Sequence, residues 1–131
     1  MWQQSENARL ERELSAYTGA ELMKKFRSAP RESLRLAAAL RGLFALEAAS
    51  TEDRAAYREY LSRRPIPAVT ALVEENRMGD LEALWPSLPI SDNTLETLLH
   101  MAGDLGRPEA VVFFLREKAK RGAFHDRDFS L

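Results

Sequence analysis

Apolar residues recur along most of this chain at spacings of three and four, and no stretch alternates with the period of two expected of a half-buried strand. The pattern predicts helices throughout. A first helix is predicted from about Gln4 to Tyr17, packing through a narrow stripe of Leu10, Leu14 and Tyr17, with Gly19 as its breaker. A short amphipathic helix over residues 20–28 follows, with Leu22, Met23 and Phe26 inward. The strongest period lies between Ser28 and Ser50, where Leu36, Leu40, Leu43 and Phe44 form one stripe widened by Leu34 and Ala38. Ser28 is the expected N-cap of this central helix, and Pro30 fits its first turn, where a missing N–H costs little. Ser50 with Asp53 resembles a capping box and opens a fourth helix carrying Tyr57, Tyr60 and Leu61.

Pro65-Ile66-Pro67 ends that helix and starts the next. Two helical pairs follow, "AVTALVEENRMGDLEALW" and "NTLETLLHMAGDLGRPEAVVFFLREKAKR". Asn93 followed by Glu96 is the expected cap of the second pair. Glu109 in the first turn of the last helix, and Lys118, Lys120 and Arg121 at its end, complement the helix dipole. Residues 122–131 read as a short tail pinned by Phe124 and Phe129. The expected fold is all-α, a helical bundle or array in one domain: helices over 1–64, two stacked helical hairpins over 65–121, and the tail.

Composition narrows this picture without naming a reaction. At 131 residues, 45% apolar and 30% charged, the chain matches one soluble domain with a real core. It has no cysteine, which removes disulfides and thiolate chemistry and fits a reducing compartment such as the cytoplasm. No apolar run approaches the roughly 18 to 20 residues of a membrane helix, so no membrane partner is expected. The first residues lack the basic and apolar regions of a secretory leader, and the abrupt helical start also fits a domain of a longer protein. Charge is uneven: residues 21–64 carry ten Lys/Arg against six Asp/Glu, whereas 65–115 carry two against eight.

Within the second pair, Thr97-Leu98-Leu99-His100-Met101-Ala102 resembles the opening of an ankyrin repeat, with Leu98 where that family has proline. Gly106 falls at the family's inter-helix glycine, and Glu109, Val111, Phe114 and Leu115 fall on its second helix. Thr70, Leu72, Gly79, Glu82 and Leu84 repeat this pattern 27 residues earlier, short of the family's roughly 33-residue period. The resemblance covers residues 66–121 and implies a protein-binding array without cofactor or metal. It implies structural roles for Gly79, Gly106 and Pro108 at the turns, and for His100 as a residue that hydrogen-bonds loop backbone. The expected contact surface is the loop tips and adjoining helix ends: Glu75, Arg77, Met78, Asp80, Asp104 and Arg107.

The same stretch has the spacing of a DNA-binding helix-turn-helix, Ala102, Gly106, Val112. Charge argues against that alternative. The would-be recognition helix begins "RPEAVVFF", without Asn, Gln, Ser or Thr to read bases, inside a segment of net charge −6. Nucleic acid is not the expected partner. Catalytic signals are weaker still: no phosphate loop, nucleophile elbow or metal spacing occurs. Glu47 and Glu74-Glu75 read as exposed helix residues, His125 beside Asp126 and Asp128 as an acidic end, Trp85 as core, and Trp2, near an end, as an exposed or contact-forming residue. A small enzyme built on Tyr57, Tyr60 and nearby arginines is a third alternative. The leading expectation is a non-enzymatic protein-interaction or scaffolding module.

Overall fold

Hydroxyl side chains at the turns set four of the helix starts. Ser5, Thr18, Ser50 and Ser91 each accept a hydrogen bond from the backbone N–H three residues on, satisfying a donor that the first helical turn leaves free. The computed structural model describes residues 5–45 and 49–129, with side chains described as far as Gly122. It contains α1 (Glu6–Glu13), α2 (Gly19–Ser28), α3 (Glu32–Phe44), α4 (Thr51–Ser62), α5 (Pro65–Glu74), α6 (Met78–Leu84), α7 (Asp92–Asp104) and α8 (Pro108–Phe129). Short 3-10 turns extend α1 through Ala16 and α6 through Ser87. No strand occurs among the described residues, so the chain is all-α.

Three local expectations change. Ser28 does not cap the central helix; it is the last residue of α2, and its hydroxyl donates to the carbonyl of Lys24. Pro30 lies in the connection, α3 starts at Glu32, and Arg35 reaches back from α3 to the carbonyls of Phe26 and Ala29. Those two bonds satisfy the C-terminus of α2, which explains why the chain leaves that helix before Pro30. Ser91, not Asn93, caps α7, and Glu96 instead pairs with Lys118 on α8. The last helix also continues past Lys118, Lys120 and Arg121 to Phe129, where a tail was expected.

The core has two linked parts. α3 is the hub of the first, packed on α1, α2 and α4. Ala37, Ala38, Ala39 and Leu40 are fully buried, whereas Leu34, Leu36 and Phe44 are only half-buried. The small side chains let three helices approach one, so the alanine run matters more to the packing than the leucine stripe alone predicts. Tyr57 and Leu61 of α4 close this part, both fully buried. In the second part α5 packs on α6 and α7, and α7 packs on α8. Trp85 stands edge-on to Phe113 at 5.2 Å between ring centres, and its indole N–H donates to Glu117 Oε1 at 2.9 Å.

The two hairpin turns are copies of one device. In the first, the N–H of Arg77 bonds the carbonyl of Leu72 and that of Asn76 bonds Val73; in the second, Arg107 bonds Ala102 and Gly106 bonds Gly103. Both are Schellman caps closed by a residue in the left-handed region, Asn76 at φ 56° and Gly106 at φ 66°. The true offset between the pairs is therefore 30 residues, not 27, and Asn76 holds the place expected of Gly79. Gly79 lies inside the first turn of α6, where an added Cβ would meet nothing within 4 Å. The two glycines should respond oppositely to substitution. Gly106→Ala is expected to cost about 1 kcal/mol in urea unfolding, from the left-handed backbone alone. Gly79→Ala is expected to be neutral or to stabilise by about 0.5 kcal/mol; equal losses at both positions would refute this assignment.

Candidate interaction surface

The turn of the first pair carries a cluster rather than a free tip. Arg77 stands at the N-cap of α6 and is held on three sides. Its Nη1 lies 2.6 Å from Glu11 Oε2 of α1 and 3.3 Å from Glu75 Oε1, and its Nε lies 2.9 Å from Asp80 Oδ2. Asn7 adds hydrogen bonds to Glu11 at 2.6 Å and Glu75 at 2.9 Å. The side chains of Arg77, Glu11 and Glu75 are 19%, 11% and 15% exposed, so the guanidinium is committed to the fold. One cation thus faces three carboxylates in a partly desolvated site. Burial, and the like charge of Glu75, raise the carboxyl of Glu11 above its usual range despite Arg77 beside it. Burial works to lower the Arg77 guanidinium, but Glu11, Asp80 and Glu75 together hold it above its ordinary value.

Arg107 occupies the matching place at the N-cap position before α8, and it also reaches backward. Its Nη2 donates to the carbonyl of Glu74 at the end of α5. Both turn arginines therefore bind an earlier helix, Arg77 to α1 and Arg107 to α5. Asp104 is exposed. His100 is exposed and makes no hydrogen bond among the described residues, so the expected loop anchor is not formed; it lies one turn from Glu96, whose carboxylate it helps Lys118 to keep ionised. Pro108 opens α8, as its fixed φ favours. Trp2 and Glu47 lie outside the described residues, as do the side chains of Phe124, His125, Asp126, Asp128 and Phe129.

Of the expected contact residues, Glu75, Arg77 and Asp80 line an open depression of about 350 Å³ with Glu11 and Phe44, where their charges are engaged with one another, and Met78 lines a second, more apolar groove. Met78 and Glu82 of α6 face Pro108, Glu109, Val112, Phe113 and Arg116 of α8 across a depression of about 380 Å³. Its floor is apolar, and Val112 is 46% exposed. Glu82, Glu109 and Arg116 stand exposed on its walls, without an ion-pair partner among the described residues. Sequence reasoning missed Val112, Phe113 and Arg116 because helical periodicity assigns an apolar run to the core, whichever part of it a neighbour covers.

The tyrosines do not converge on one site. Tyr57 is fully buried, its ring edge-on to Phe26, and its hydroxyl has no hydrogen-bond partner among the described residues. Burial pushes it up to about 12. Tyr60 donates to Glu32 Oε2 at 2.6 Å and lies under the Arg64 guanidinium at 4.4 Å, beside an open, mainly apolar depression that Ser33, Leu36 and Pro67 complete. Burial, with Glu32 next, raises Tyr60 to about 12, so neither phenol offers a base near neutral pH.

No family model, curated protein or solved structure matches the chain. Among the described residues, no helix is long and apolar enough to cross a membrane.

Proposed function

We propose that this chain is a protein-interaction module of stacked helical pairs, related in design to ankyrin arrays, that acts by binding another protein and not by catalysis. The observation that carries this reading is the α6–α8 groove: an apolar floor at Met78, Pro108, Val112 and Phe113, with Glu82 and Glu109, which have no ion-pair partner among the described residues, on its two walls. Exposed apolar surface rimmed by charge is the common form of a protein contact site. The reading moves the binding surface from the loop tips to the groove, because Arg77, Glu75 and Asp80 are already engaged with one another.

The test is a photo-crosslinking amino acid at Val112, introduced into the full chain in cells of its natural source. The expected result is one discrete crosslinked protein, lost when Met78→Glu puts a charge on the groove floor. Crosslinks to nucleic acid, or none to any protein, would overturn the reading.

A further inference from the structure

We propose that the open end of the second helical pair docks an amphipathic helix of a partner protein, one that opens on an arginine and carries aromatic residues six and seven positions later. The proposal rests on the interaction-module reading and names the partner's chemistry at a face distinct from the groove. It follows from how the first pair is covered. The Schellman turn of α5 uses the carbonyls of Leu72 and Val73 and leaves that of Glu74, which Arg107 then takes. Along the same α8 helix, Phe113 and Phe114 cover Trp85 at 5.2 and 5.8 Å. One helix therefore closes the first pair by an arginine at its start and an aromatic pair two turns on.

Thirty residues later every receiving group recurs, uncovered. Asp104 stands where Glu74 stands, and its carbonyl accepts no hydrogen bond among the described residues; Pro108 has no N–H to supply one. Leu115 stands where Trp85 stands and is 48% exposed. Val111 is half-buried where Leu81 is fully buried, and Leu105, beside Asp104, is 40% exposed. An unsatisfied helix-end carbonyl and an apolar stripe thus repeat the interface that α8 already fills one layer earlier, and the exposed carboxylate of Asp104 adds negative charge beside them. The negative end of the α7 dipole adds to the attraction for a cation. Continuity with that internal interface identifies the occupant as a helix of α8 type.

The probe is a labelled peptide of residues 106–121, crosslinked i to i+4 on its exposed face so that it is helical before it meets the full chain. Saturable binding is expected by fluorescence anisotropy. Leu115→Glu in the chain should abolish it. Arg107→Ala in the peptide should weaken it about tenfold, the loss of one charge-assisted hydrogen bond. Asp104→Arg in the chain should weaken it similarly, with recovery when the peptide carries Arg107→Glu. Failure of the helical peptide to bind, or binding indifferent to Leu115→Glu, overturns the proposal. So does sedimentation of the chain as an oligomer that Leu115→Glu returns to monomer, since a second copy then covers the face. A protein crosslinked at Val112 without peptide binding would leave the groove reading standing and remove only this inference.

Discussion

Arg77→Ala is expected to destabilise the fold by about 3 kcal/mol in urea unfolding at pH 7, with little change in helix content of the surviving folded fraction. The size follows from what is left behind. Removing the guanidinium strands Glu11, Glu75 and Asp80 together with no cation, and breaking a buried pair costs about 3 to 5 kcal/mol. The lower end applies because these side chains keep some contact with water. The loss should depend on pH in a set direction. Glu11 has a folded-state value above its ordinary 4.5, so the folded protein binds the proton more tightly than the unfolded chain. Its contribution is fully present below 4.5 and is lost as pH rises through the raised value. Without Arg77 that value rises further, so the variant should lose less at pH 4.5 than at pH 7. Glu11→Gln should cost much less than Arg77→Ala and flatten this pH dependence. Glu117 works in the other sense: the hydrogen bond from Lys120 lowers its carboxyl despite some burial, so its stabilisation is lost as pH falls below 4.5. A pH-independent loss in Arg77→Ala would contradict the charge account of the cluster.

Gly42→Ala is expected to cost about 2 kcal/mol, through shape rather than charge. An added Cβ would lie 2.1, 2.5 and 2.6 Å from three ring carbons of Tyr57. That ring is fully buried and stands edge-on to Phe26 at 5.0 Å, so it has no free direction of retreat. Overpacking of this kind costs about 1 to 3 kcal/mol, and the contact here is closer than side-chain rotation relieves. The gain of roughly 1 kcal/mol in helix propensity from replacing glycine offsets only part of it. A net loss of about 2 kcal/mol is expected in thermal or urea unfolding. The cycle with Tyr57→Leu supplies the check: the double variant should lose clearly less than the two single losses combined. Strict additivity would show that Gly42 matters for some reason other than this contact.

Much of the local structure is readable from neighbouring residues. Ser50 caps α4, Pro65 and Pro108 start their helices, and Gly106 adopts the left-handed turn, because each depends on groups within a few positions. Ser28 and Asn93 failed as caps for an equally local reason seen only in space. Each competes with another way of finishing a helix, Arg35 reaching back over α2 in one case and Ser91 in the other. The two hairpin turns correspond in a register that glycine alone does not reveal, since the left-handed position accepts asparagine as well as glycine. Matching Arg77 to Arg107 would have found the offset of 30, with Asn76 opposite Gly106.

By itself the sequence determined that this protein is helical, where most of its helices start, and which side chains are apolar enough to fill its core. Propensity, capping and periodicity act over three or four residues and are written in the chain. Only the tertiary structure decided that Arg77 is enclosed by Glu11 from 66 residues away, that Gly42 leaves room for Tyr57, and that Leu115 is exposed where Trp85 packs on Phe113. Burial is a property of which helix covers which, and that depends on distant pairings that no local pattern encodes.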